Sequence, residues 1–129
     1  MPKRGAPRPT DAELEILTVL WQRGASTVRD VHGVIRQSKP ATGYTTVLKL
    51  MQIMAEKNLV RRDERQRAHV YEAQFAQEQT QRQLIGDLLE RAFEGSATKL
   101  VMQALSARKT SATELTRIRE MLDEYERGE

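Results

Sequence analysis

Thr45, Thr46 and Lys49 put two hydroxyls and an ammonium on the polar side of a helical segment whose first turns hold no acid. Hydroxyls donate and accept, and an ammonium only donates, so this set can engage base edges and the phosphates beside them. A solvated helix surface is the plainer alternative, and polarity alone leaves both open. β-Branched residues are not preferred on exposed helix faces, which favours contact. Tyr44 fits either the edge of a core or a hydroxyl donor to phosphate. Other chemistries have less to build on. Cysteine is absent, which excludes disulfides, thiol catalysis and cysteine–metal sites. His32 and His69 belong to no HExxH or other close ligand cluster, so an all-oxygen metal site is the only form left open. The seven glycines are scattered and build no phosphate loop. No enzymatic activity, metal or cofactor is expected.

The charge of the chain is uneven. Of its 129 residues, 21 are basic and 18 acidic, for a net charge of +3. Residues 1–73 carry 13 Lys and Arg against 8 Asp and Glu, whereas residues 74–129 carry 8 against 10. The first part would attract a polyanion and the second would not. Pro2, Lys3, Arg4 and Gly5 open the chain with no apolar run behind them, so no secretory signal is expected. No apolar stretch is long enough for a membrane span. The expected location is the cytoplasm, without membrane insertion.

Three helices and a hairpin must hold the polar set in place. Residues 1–9, with three prolines and three basic side chains, read as a flexible basic arm. Thr10 to Glu13 form a capping box. Leu14, Ile16, Leu17, Leu20 and Trp21 then make an apolar stripe up to Gly24, and Trp21 reads as a core residue. Ser26 is the expected N-cap of a second helix, with Val28, Val31 and Ile35 facing inward and Arg29 and Arg36 facing away. Pro40 ends it. The third helix spans about Thr42 to Lys57 and buries Val47, Leu50, Met51 and Met54. Thr45, Lys49, Gln52 and Glu56 lie opposite, with Thr46 at the flank. Asn58 can take a left-handed cap conformation. Leu59–Arg62 and Ala68–Tyr71 read as strands flanking a polar loop. Five basic and two acidic residues fall between Lys57 and Arg67. A hairpin with a basic tip behind a polar-faced helix outlines a winged helix-turn-helix over residues 10–73.

Residues 74–129 read as helices alone. A long helix over about Gln74 to Phe93 carries Leu84, Ile85, Leu88, Leu89, Ala92 and Phe93. Gly95 breaks it and Ser96 caps the next helix, which repeats Leu100, Val101, Ala104 and Leu105. Ser111 to Glu114 form a second capping box, followed by Leu115, Ile118, Leu122 and Tyr125 on one stripe. A segment of this size buries its apolar faces poorly alone, so a homodimer through residues 74–129 is expected. Packing of these helices back on the first domain is the alternative. The fold class is therefore mainly α with a small β-wing, an N-terminal winged helix-turn-helix followed by a C-terminal helical dimerisation region.

Thr10–Ile16 with Val19-Leu20-Trp21, Tyr44–Val47, Arg67–Tyr71, Leu100-Val101 and Ser111 to Arg119 together resemble the BlaI/MecI penicillinase-repressor family of winged-helix proteins, over about residues 9–126. The resemblance implies a bacterial transcriptional repressor that binds a palindromic operator in double-stranded DNA as a homodimer. It implies that Thr45, Thr46 and Lys49 face the major groove, with Tyr44 on the same recognition helix and Thr42 at its start. Arg61, Arg62, Arg65 and Arg67 would lie toward backbone phosphates. The dimer contacts would come from Leu84, Leu88, Leu89, Leu100, Val101, Leu115, Ile118, Leu122 and Tyr125. Family members controlling β-lactam resistance are cut at an Asn-Phe bond in response to a membrane sensor protease. The matching position here is Gln103-Ala104, a departure from that pair. The copper-responsive branch uses cysteines near its C-terminus, and this chain has none. A protein-interaction module and a non-specific architectural DNA binder are the competing functions.

Overall fold

The computed structural model describes residues 7–128. Most of the expected basic arm thus lies outside the described residues. Pro9 is buried directly ahead of the first helix, so an arm would end before it. The chain divides into two units, Met1–Gly86 and Asp87–Glu129, the division falling within the fourth helix.

The first unit begins with α1 (Asp11–Arg23), α2 (Val28–Ser38) and α3 (Tyr44–Glu56). Thr10 Oγ1 accepts from the Glu13 N–H at 3.2 Å, and Glu13 Oε1 accepts from the Thr10 N–H at 2.9 Å. This satisfies two amides that a helix start leaves without partners. α1 stops at Gly24, whose φ of 88° lies in the region that side chains with a Cβ avoid. The expected cap at Ser26 is corrected. Ser26 and Thr27 form β1, and Thr27 is the N-cap of α2, sharing a capping box with Asp30. Thr27 takes the role because Asp30 stands three residues beyond it, at the reciprocal position.

α3 begins at Tyr44, two residues later than expected, with Gly43 as its N-cap. It ends at a tight turn. Asn58 takes φ 64°, its N–H donates to the Ala55 carbonyl, and the Leu59 N–H donates to the Met54 carbonyl at 2.9 Å. That pairing closes the helix and delivers the chain into the wing. The hairpin is β2 (Val60–Asp63) and β3 (Val70–Ala73), in register Val60↔Ala73 to Asp63↔Val70. Both strands lie later than the sequence indicates, because the Leu59 amide is spent on the helix cap. β1 pairs with the other edge of β3, so the sheet order is β1-β3-β2.

The core joins all three helices to the wing. Ile16, Leu17 and Leu20 meet Val31, Val47, Met51 and Met54, with Leu59, Val60 and Tyr71 closing one side. Each such side chain contributes about 1.5–3 kcal/mol by leaving water. Leu50 and Trp21 are only partly buried beside this cluster. The Trp21 Nε1–H donates to the Phe75 carbonyl at 3.0 Å, tying α1 to the segment after the wing. Glu13 is buried to 2% exposure and accepts from Lys57 Nζ at 2.8 and 2.9 Å. This pair fastens the start of α1 to the end of α3. Burial pushes the Glu13 carboxyl pKa up, but hydrogen bonds from Lys57 and Thr10 outweigh it and hold the group below the usual range.

The remaining helices are α4 (Gln77–Ala92), α5 (Ala97–Ala107) and α6 (Ala112–Gly128). Ser96 caps α5 by accepting from the Lys99 N–H at 3.1 Å. Ser111 accepts from the Glu114 N–H at 3.0 Å, one half of the expected box. The architecture is mainly α with a small β-wing. Among the described residues, no helix is long and apolar enough to cross a membrane.

Candidate nucleic-acid interface

α2 has two adjacent stripes. Val28, Val31 and Ile35 are buried. Arg29, His32 and Arg36, each one position on, form the neighbouring stripe and line one surface groove together with Tyr44. The Thr42 carbonyl can only accept, so His32 Nε2 donates to it, at 2.9 Å. The His32 and Tyr44 rings meet edge to face, with centroids 5.8 Å apart. These contacts fix the turn between α2 and α3. Thr42 lies in that turn, half-buried, with its own N–H donated to the Lys39 carbonyl at 3.0 Å.

α3 buries Val47, Met51 and Met54 and exposes Tyr44, Thr45, Thr46, Lys49 and Gln52. Gly43 gives the first-turn amides no side-chain acceptor, and no acid stands in that turn. The positive end of the helix is thus left for an outside anion. A second groove runs from Arg29 and Tyr44 past Leu48 and Gln52 to Arg67 and His69 at the returning side of the wing. The two grooves share Arg29 and Tyr44, and no carboxylate lines either one. Among the described residues, Arg29, Arg36, Lys49 and Arg67 form no ion pair. The nearby Asp30 accepts from the Thr27 N–H and pairs with Arg23.

The wing is built differently. Arg61 pairs with Glu72 across the strands at 2.8 Å, Arg62 with Glu64 at 2.6 Å and Arg65 with Asp63 at 2.7 Å. Arg62 also hydrogen-bonds the Tyr71 side chain, which raises its pKa further. Hydrogen bonds from the Arg65 side chain and backbone lower the Asp63 carboxyl to about 2. A charge count over 57–67 omits Glu72, which only the register brings to Arg61.

The structure therefore brings Tyr44 and Arg67 to one groove, while Thr45, Thr46 and Lys49 are exposed on α3 outside its lining. Arg61, Arg62 and Arg65 stand on a separate groove that also contains Asp63, Glu64 and Glu72. Sequence reasoning missed Arg29, His32 and Arg36 as members of the face. Their i, i+3, i+7 spacing was the available signal. Of the expected dimer residues, Leu84, Leu89, Leu100, Leu115 and Ile118 are half-buried, while Leu88, Val101, Leu122 and Tyr125 are exposed. Gln103 and Ala104 are exposed on α5.

Comparison with known proteins bears on this arrangement. A model of the family described as "Penicillinase repressor" matches residues 9–124. Two proteins named "Transcriptional regulator BlaI", from Mycobacterium tuberculosis strains CDC 1551 / Oshkosh and ATCC 25618 / H37Rv, are each 31% identical over 119 residues. The match covers 92% of this chain and 85% of each relative.

Proposed function

The chain belongs to the penicillinase repressor family and is a transcriptional repressor, and from that premise we propose that it acts as a homodimer on a palindromic operator. The observation that carries this reading is the acid-free face running from α2 across α3 to Arg67. Arg36, Lys49 and Arg67 meet backbone phosphates or base edges without first leaving an acidic partner, and Arg29 leaves only the charge attraction of Asp30. Each phosphate contact releases condensed counterions and steepens the salt dependence by about 0.9. Thr45, Thr46 and Lys49 read base edges from the first turns of α3, with Tyr44 and Thr42 at the helix entry. Residues 10–73 form the DNA-binding domain in this account, and residues 74–129 the dimerisation domain.

The exposed apolar side chains Leu88, Val101, Met102, Leu122 and Tyr125 support self-association, since a second copy would bury them. Linking two heads makes the second half-site contact intramolecular, which raises operator affinity without new contacts. Loosening the tail then relieves repression, with cleavage near Gln103-Ala104 by a sensor protease as one route.

Titration of the full chain on promoter-derived duplex over a range of salt tests the reading. Arg29→Gln with Arg67→Gln lowers affinity and reduces the salt slope by about 2 for each bound head. A slope unchanged by both substitutions removes this face from the interface. Equal affinity for every sequence identifies an architectural binder, and no binding to any duplex identifies a protein-interaction module.

A further inference from the structure

We infer that Asp63 restrains sequence-independent DNA binding by holding Arg65 in an internal ion pair. This rests on the DNA-binding reading above and extends it to a residue of negative charge. Arg65 is the most exposed of the three paired wing arginines, with 87% of its side chain in solvent. It is nevertheless engaged along one edge of its guanidinium. Nε donates to Asp63 Oδ1 at 3.0 Å and Nη2 to Oδ2 at 2.7 Å. The Arg65 backbone N–H also donates to Oδ1, at 3.0 Å, so the carboxylate fixes the turn and the side chain together.

A bidentate arginine–carboxylate pair takes one of the two edges with which guanidinium can clasp a phosphate. A phosphate that takes this edge displaces Asp63, and one that takes the free Nη1 edge lies beside its carboxylate, so the exchange sets Asp63 against the polyanion either way. The net gain of that exchange is small, whereas an unpaired arginine such as Arg67 gains the full counterion release. Arg61 and Arg62 are also paired, each by a single contact, with Glu72 and Glu64, leaving the wing close to neutral. Sequence-independent attraction is thereby concentrated on the α2–α3 face, where the helix can also read bases. Arg65, in the loop between β2 and β3 and 87% exposed, is open to a phosphate if released.

Binding of the full chain to a random-sequence duplex, followed from low to moderate salt, tests this with three variants. Asp63→Asn keeps a carbonyl for the Arg65 amide and removes the charge. For each bound head it is expected to steepen the salt slope by about 0.9 and to raise affinity by up to about eightfold at 0.1 M salt. Arg65→Gln alone changes affinity less than about twofold per head, while Arg67→Gln lowers the slope by about 0.9 per head. Asp63→Asn with Arg65→Gln abolishes the gain. An unchanged slope in Asp63→Asn overturns the inference. So does a gain that survives in the double variant, or a loss in Arg65→Gln equal to that in Arg67→Gln. If the unsubstituted chain binds no duplex, the DNA-binding reading fails and takes this one with it. If it binds while the variants fail the pattern, only the restraint by Asp63 is refuted.

Discussion

The helices at the two ends of the chain use apolar residues in opposite ways. α1, α2, α3 and the wing supply every one of the fully buried hydrophobic side chains among the described residues, from Ile16 to Tyr71. α5 and α6 bury none, and leave Val101, Met102, Met121, Leu122 and Tyr125 about half exposed or more. The contrast is not one of helix quality, since both regions have well-formed caps. It lies in whether the apolar stripes find partners. A segment with caps and stripes but no core leaves its apolar side chains in solvent. The buried core thus lies in the first unit, and the stripes of α5 and α6 stay open.

Core truncation should break that contrast most visibly. Met51→Ala empties a site with 0% exposure and is expected to cost about 2–5 kcal/mol in urea unfolding. Met102→Ala, at 62% exposure, should stay within about 0.5 kcal/mol for the dissociated chain. Equal losses at the two positions would show that the tail has a core of its own.

Glu13→Gln comes next, at about 2 kcal/mol near neutral pH. This is less than the 3–5 expected for breaking a fully buried pair, because Lys57 keeps 34% of its side chain in water. The Glu13 carboxyl lies below its ordinary 4.5 in the fold. Its contribution is therefore complete above that ordinary value and is lost as the pH falls through the lower, folded one. The stability gap between the unsubstituted chain and Glu13→Gln should narrow below about pH 4.5. A gap that is flat from pH 3 to 7 would contradict the ion pair.

Leu122→Asp is the smallest effect on folding and a test of the tail alone. Sedimentation equilibrium should show self-association weakened by about tenfold, or 1.4 kcal/mol, with unfolding of the head unchanged. An unaltered association constant would place the dimer contact elsewhere.

Local signals carried much of this architecture in the sequence. The Thr10–Glu13 box, the Ser96 cap and the left-handed Asn58 each depend on residues within a few positions of one another. β1 was hidden because two residues carry no alternation, and the cap read at Ser26 falls one residue before the true one at Thr27. The Glu13–Lys57 pair joins positions 44 residues apart and requires the fold to be known. The candidate face was legible in part. Thr45, Thr46 and Lys49 follow from helical spacing, but the joining of Arg29 and Arg36 to Arg67 depends on how α2, α3 and β3 pack. The pairing of the wing arginines depended on register. A one-residue slip would move Glu72 away from Arg61.

Selection of duplexes from a random-sequence pool by the full chain tests the central claim most directly. The account predicts an enriched inverted repeat that binds two chains per duplex, at least about a thousandfold more tightly than a scrambled sequence. An enriched site without two-fold symmetry, or no enrichment at all, would contradict it.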